Sequence, residues 1–454
     1  MNQQRLKKYA TAITIGCRLN QADTALIFDK LKSNGYEIVK PDTTEQLSII
    51  IINTCAVTET ASRKSRQAAR SLRKKNPNAI IIVTGCSADI ESEFWENDKS
   101  VNIVIPNSSK TKVDEYLNRM GVINSTTQTA SPKIISNPDS FIENAVGYYP
   151  FKCRANIKIQ EGCDSFCTYC IVPYGRGKPR SRDWNDTIRE FKELLKRGHK
   201  EIILTGVNIA TYADSGKTLA DLLKEMVNIE GDFRIRLSST EPQFNTHELI
   251  DVISSSPKIC RFLHLPLQHG TNEVLSRMGR NYTTENFAEF VNDAVRQIPG
   301  ICIGTDVIVG FPGETEEHFS QCSEFIKRLP MSYLHVFRYS KRKGTPAANY
   351  PNQIPHNIAL ERHNSLSDLG KKLSNNLIKQ QIGKSVKVLF EKETNNQLVG
   401  WSDNYIKIKV NCAKDKFLQN LSQPLKQYHN NFVNVKLHKI TGQREIEGII
   451  ICPD

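Results

Sequence analysis

Three cysteines, Cys163, Cys167 and Cys170, fall within eight residues in the stretch EGCDSFCTYC. Thiolates are soft metal ligands, and a structural zinc site closes with a fourth cysteine or a histidine at short spacing. Here that fourth ligand is missing: the nearest upstream candidate is Cys153, and the next histidine downstream is His199. Three thiolates on one short loop suit instead a 4Fe–4S cluster with three cysteine-bound irons and one iron open to a small molecule. A second set, Cys17, Cys55 and Cys86, has 37 and 30 residues between its members and matches no local metal motif. The other cysteines, Cys153, Cys260, Cys302, Cys322, Cys412 and Cys452, read as structural or incidental.

The elements around these residues decide whether they can meet. Over the first 110 residues, strand-like runs (YATAITIGC, LSIIIINTC, AIIIVTGC) alternate with helical patterns, which predicts βαβ units and a parallel sheet. Cys17, Cys55 and Cys86 each fall at the C-terminal end of one of those strands, where open α/β sheets bind ligands. That placement favours a second three-thiolate cluster over three buried thiols. From Arg154 onward come six further strand-like runs, ANIKIQEG, KEIILTGVN, FRIRLSS, RFLHLPLQ, IGTDVIVGFP and SYLHVFRYS, separated by helical patterns. Six such repeats predict a partial (βα)6 barrel with its site at the strands' C-terminal rim. Cys163, Cys167 and Cys170 follow the first run. Gly206 and Asn208 (TGVN), Ser238 and Glu241 (SSTEP), Gln268 and Gly310 (VIVGFPGE) end the next four, and are the candidate cofactor contacts. The fold class is therefore α/β: an N-terminal open parallel-sheet domain over 1–120, a linker over 121–148, the partial barrel over 149–380, and a small all-β barrel over 381–454.

The chain of 454 residues is 39% hydrophobic and 24% charged, with a net charge of +13. Residues 1–80 carry 14 Lys and Arg against 6 Asp and Glu, and residues 381–454 carry 11 against 7, so the excess lies in the two end domains. That distribution suits a polyanion, nucleic acid above all. Arg63, Arg66, Arg70 and Arg73 are spaced to share one helix face, which serves either such a partner or plain solvation. The N-terminus lacks the apolar core of a signal peptide and no run is long enough for a membrane helix, so a cytoplasmic protein with reduced thiols is expected.

The motifs GCRLNQADT, IINTCAVTETA, VTGCSAD, IQEGCDSFCTYCIVPYGRGKPRSR and TDVIVGFPGETEE together resemble the methylthiotransferase family of radical S-adenosylmethionine (SAM) enzymes along nearly the whole chain. The C-terminal part resembles that family's RNA-binding TRAM domain. The resemblance implies two 4Fe–4S clusters, one on Cys163, Cys167 and Cys170 that cleaves SAM, and one on Cys17, Cys55 and Cys86 that carries or delivers sulfur. It also implies hydrogen abstraction from C2 of an adenine by a deoxyadenosyl radical, a flavodoxin-like or ferredoxin-like reductant, and a monomer acting on the tRNA anticodon arm. EIILTGVNIATY, RIRLSSTEP and LHVFRYSKRKGTPAA resemble the branch that acts on N6-threonylcarbamoyladenosine just 3′ of the anticodon. Other branches act on isopentenyladenosine at the same place or on an aspartate of a ribosomal protein. His269, in LPLQHGT, stands where the family pattern suggests serine, which leaves the contacts there open.

Overall fold

The computed structural model describes residues 7–122, 140–242, 247–394, 396–412 and 425–451, so Cys452 lies outside the described residues. The N-terminal sheet is parallel, in the order β2 (Tyr36–Ile38), β1 (Lys8–Thr14), β3 (Leu47–Thr54), β4 (Ile80–Gly85), β5 (Ile103–Val104). The run LSIIIINT forms the central strand β3, buried on both faces, as the isoleucine repeat requires. Helix α1 (Arg18–Ser33) follows Cys17, and α2 (Glu59–Lys75) is capped by the Thr58 side chain and ends on Arg73, Lys74 and Lys75, the charge order a helix dipole favours. The arginine face of α2 is partly tied down within the chain. Arg66 pairs with Glu59 and lies over Phe94, Arg73 donates to the carbonyls of Ser100, Pro77 and Ala79, and the exposed Arg70 pairs with Asp98 at 3.5 Å, while Arg63 is exposed.

The expected linker is corrected in its second half. Residues 123–139 lie outside the described residues, but β6 (Ser140–Phe141) pairs with β9 (Arg180–Arg182), which also pairs β8 (Gln160–Glu161). Beyond it, Ala145, Val146 and Tyr149 are buried, and Gly147 N donates to Glu190 at 2.6 Å.

All six central runs are strands: β7 (Arg154–Lys158), β10 (Glu201–Thr205), β13 (Arg234–Leu237), β14 (Phe262–His264), β15 (Cys302–Val309) and β16 (Tyr333–Arg338). They form two parallel three-stranded sheets, β7-β10-β13 and β14-β15-β16, joined by isolated parallel bridges at Ile235–Ile259 and Ser239–His264. A short hairpin, β11 (Ala213–Asp214) and β12 (Lys217–Thr218), follows β10. Alternation along the strands separates two faces. Ile157, Ile202, Leu204, Ile235, Leu263, Ile303 and Val307 join the core with the surrounding helices. The alternate residues, Arg154, Lys158, Glu201, Arg234, Arg236, His264, Asp306 and His335, line the inner face with charge. A barrel kept only for stability fills that space with branched apolar residues.

The C-terminal segment closes into a barrel in the order β17 (Ser385–Thr394), β18 (Gln397–Ser402), β19 (Lys407–Asn411), β21 (Glu445–Ile450), β20 (Phe432–Gly442). It covers the N-terminal ends of the central strands, at the pole opposite their rim. Phe262, Cys302 and Tyr333 share one core with Val388, Phe390 and Ile408. Arg236 donates to the carbonyls of Ser402 and Asp403 at 3.0 and 2.8 Å, and the fully buried Glu201 accepts from Arg234 and Arg236 at 2.6 and 2.7 Å. Among the described residues no helix is long and apolar enough to cross a membrane.

Candidate active site

The cysteine loop leaves β8 through Gly162, whose φ is +78°, and a Cβ there would stand 1.9 Å from the Lys178 carbonyl oxygen. Only glycine permits that approach. The loop is then pinned to the barrel: Thr168 N donates to Met278 O at 2.9 Å, and Ala347 N donates to Thr168 O at 2.8 Å. Cys167 is buried, while Cys163 and Cys170 are half-buried. Burial pushes the Cys170 thiol up to about 12, so without a metal it stays protonated at neutral pH. Metal coordination reverses that preference. Arg280, paired with Glu241, donates from Nη1 to Cys167 Sγ at 3.2 Å.

The dispersed cysteines are gathered by two glycines. At Gly16 (φ +102°) a Cβ would lie 2.8 Å from Cys55 Cβ and 2.9 Å from its sulfur, so the backbone before Cys17 lies directly against Cys55. At Gly85 (φ +94°) a Cβ would lie 2.5 Å from Thr54 O, which brings Cys86, the first residue of α3 (Cys86–Ile90), beside the end of β3. Asn20 locks the corner, donating to the carbonyls of Ile15 and Thr54 at 2.8 and 2.9 Å. Burial pushes the Cys55 thiol up to about 12 and raises that of Cys86. The buried Arg176 opposes this at Cys86, held by Asn20 Oδ1 at 2.5 Å and Glu161 Oε1 at 2.9 Å. Each triad thus has one arginine aimed at it, and the residue-by-residue reading of the sequence singled out neither. Arg176 lies within the quoted GRGKPRSR motif, but Arg280 is 110 residues from the cysteine loop and carries no local signal.

The two triads adjoin. Ala56, Cys86 and Ile171, which follow or belong to the two sets of ligands, form one small buried apolar cluster with Ile90. Thiolates around one zinc ion stand about 3.8 Å apart. Among the described residues neither cysteine triad has all three sulfurs within 4.8 Å of one another.

The rim residues divide. Ser238 Oγ is buried with no hydrogen-bond partner among the described residues, Glu241 reaches Arg280 beside Cys167, and the half-buried Gln268 holds a left-handed φ of +66°, a strained conformation characteristic of sites. The other three rim residues also have partners within the chain. Gly206 makes room for Gln160, whose Oε1 a Cβ would meet at 2.9 Å and which accepts from Val207 N and Asn208 N. Asn208 is itself a cap, accepting from Ala210 N. Gly310 faces Ala359 of the helix His356–Lys379, 2.8 Å from where its Cβ would stand, so that space is filled by protein. His269 is a core histidine: Nδ1 accepts from Thr271 N at 3.2 Å, and Nε2 donates to Glu314 Oε1 at 3.1 Å. Burial lowers its pKa, consistent with a neutral ring.

Parallel strands carrying a three-cysteine loop at their C-terminal rim define a radical SAM centre, and residues 157–326 match the model of the Radical SAM superfamily. Residues 9–106 match a model described as Uncharacterized protein family UPF0004. In fold the chain is similar to the radical SAM methyltransferase TsrM from Kitasatospora setae, with a TM-score of 0.55 at 15% identity, covering 75% of this chain and 77% of that one. Threonylcarbamoyladenosine tRNA methylthiotransferase MtaB of Bacillus subtilis is 38% identical, covering 88% of this chain and 90% of the relative. MtaB of Aquifex aeolicus is 39% identical, covering 88% and 96%. A tRNA-2-methylthio-N(6)-dimethylallyladenosine synthase of Clostridium botulinum is 36% identical, covering 85% and 87%. The chain belongs to the methylthiotransferase family of radical SAM enzymes. The family implies SAM and 4Fe–4S clusters as cofactors, and the donor sets above fit them: two three-thiolate groups, each with an arginine, and an unpartnered serine hydroxyl on the rim.

Proposed function

We propose that this enzyme converts N6-threonylcarbamoyladenosine, 3′ of the tRNA anticodon, to its 2-methylthio derivative. The observation that carries the reading is the adjacency of two cysteine triads from separate sheets, brought together where Ala56, Cys86 and Ile171 share one apolar cluster. The likeness to relatives named for this base supports the choice of substrate. Cys163, Cys167 and Cys170 would hold one cluster and Cys17, Cys55 and Cys86 the other; when bound, these and SAM supply one-electron chemistry and the sulfur and methyl groups. Ser238, Glu241 and Gln268 orient SAM beside the compact triad, while Gly206, Asn208 and Gly310 shape the wall behind it. Phe166 and Tyr174, 55% and 51% exposed with ring centroids 5.8 Å apart, flank the cysteine loop and offer stacking surfaces for unpaired bases. A flavodoxin-like or ferredoxin-like protein supplies electrons, and the enzyme works as a cytoplasmic monomer.

The test is turnover by anaerobically reconstituted protein with SAM and a low-potential reductant. An anticodon stem-loop carrying the threonylcarbamoyl base should gain one methylthio group. Modification of the dimethylallyl base instead would refute the substrate assignment.

A further inference from the structure

One polar constellation on the inner face has no part in holding the cysteines. His264 on β14, Asp306 on β15 and His335 on β16 lie on three neighbouring strands, and Asp306 and His335 are direct register partners. Their ligand atoms all lie within 4.8 Å of one another. His264 Nε2 stands 3.0 Å and His335 Nδ1 3.4 Å from the same oxygen, Asp306 Oδ1. The base of the group is built in. His264 Nδ1 meets the Tyr333 hydroxyl at 3.0 Å, and Gly304 makes room for that ring, since a Cβ there would stand 1.8 Å from it. The mouth is open: side-chain exposure rises from 12% at His264 through 25% at Asp306 to 55% at His335. The group sits just below the rim. Gln268 N donates to Asp306 O at 2.8 Å, and His264 is bridged to Ser239, next to Ser238.

His264 Nε2 and His335 Nδ1 both face Asp306 Oδ1, so Asp306 Oδ2 and His335 Nε2 lie outside those two pairs. With Nδ1–H of His335 turned to the carboxylate, its Nε2 is an acceptor like the carboxylate itself, so two acceptors lie close together. A threonylcarbamoyl group on N6 carries the complement: urea N–H groups and a hydroxyl that can donate. An apolar dimethylallyl group would leave the pocket's polar atoms unpaired, the arrangement by which sites reject analogues most strongly.

We propose that His264, Asp306 and His335 form the pocket that reads the hydrogen-bonding N6 substituent of the substrate base, an assignment that rests on the functional reading above. His335 and Asp306 make the contacts; His264 and Tyr333 position them.

The experiment measures kcat/KM of the reconstituted holoenzyme on anticodon stem-loops bearing threonylcarbamoyl, dimethylallyl or unmodified adenosine. It is repeated for His335→Leu and Asp306→Asn. Each variant should lose on the order of 10- to 100-fold on the threonylcarbamoyl RNA, the scale of a hydrogen bond to a charged group. Its rate on unmodified RNA, its iron content and its RNA-independent SAM cleavage should stay as in the parent, which separates recognition from folding. If the parent prefers the threonylcarbamoyl RNA and both variants keep that preference, the pocket assignment alone is overturned. A parent that prefers the dimethylallyl RNA overturns the functional reading and the pocket with it. One zinc per chain in the holoenzyme that Asp306→Asn abolishes would make the group a metal site, and also overturns the assignment.

Discussion

Cys167→Ala is expected to abolish SAM cleavage and to lower bound iron from about eight to about four per chain. Cys167 is the buried member of the compact triad and the one that Arg280 addresses at 3.2 Å, so its loss removes a ligand and leaves a buried guanidinium without that partner. The remaining iron belongs to the dispersed triad, which rests on other elements: the ends of β1 and β3 and the start of α3. The reciprocal change, Cys55→Ala, should also leave about four irons. That variant should still cleave SAM but produce no methylthiolated RNA. Iron and sulfide assay with quantification of the SAM fragments reads both outcomes. If Cys55→Ala ended SAM cleavage while Cys167→Ala spared it, the roles of the two triads would be reversed.

Asp23→Ala is expected to destabilise the junction between the N-terminal sheet and the central strands by about 3–5 kcal/mol, the cost of breaking a buried ion pair from one side. Asp23 on α1 is fully buried, 2.6 Å from Lys110 Nζ, 3.0 Å from Lys158 Nζ and 3.7 Å from Arg176. Glu161 accepts from Lys110 and Arg176 at 3.0 and 2.9 Å, and Glu143 pairs with Lys158. Three buried cations would then face two carboxylates. The network also sets a pH dependence. Burial alone would raise the Asp23 and Glu161 carboxyls, but the adjacent Lys110, Lys158 and Arg176 outweigh it and hold both below their ordinary range. The unfolded chain therefore protonates first. The contribution is complete above about pH 5 and is lost as pH falls below about 4, through the depressed folded values. Unfolding midpoints measured across that interval should fall more steeply for the parent than for Asp23→Asn.

Much of this organisation could be read in the residues because its signals are local. The compact cysteine spacing, the glycines before Cys17 and Cys86, and six apolar runs of strand length each identify their own element. What escaped detection depends on distant partners. The three-residue β2 and two-residue β5 take their conformation from the strands beside them. Residues 140–150 have a linker's composition, yet they pack because β9 and the helix Trp184–Lys196 offer partners. The glycines at 206 and 310 each admit a protein side chain where a Cβ would stand, a packing role that only tertiary contacts reveal. His269 departs from the family pattern yet is fully paired with Glu314 and Thr271, which a sequence pattern has no means to express. The inner-face histidines likewise look like alternating strand residues until three strands bring them to one carboxylate.

The proposed reaction places a methylthio group on the threonylcarbamoyl base of tRNA. Its most direct test is nucleoside mass spectrometry of tRNA from a strain with the gene and from one without it. 2-Methylthio-N6-threonylcarbamoyladenosine should disappear with the gene, N6-threonylcarbamoyladenosine should accumulate in its place, and restoring the gene should reverse both. Persistence of the 2-methylthio base in a deletion strain that carries no second gene of this kind would contradict it.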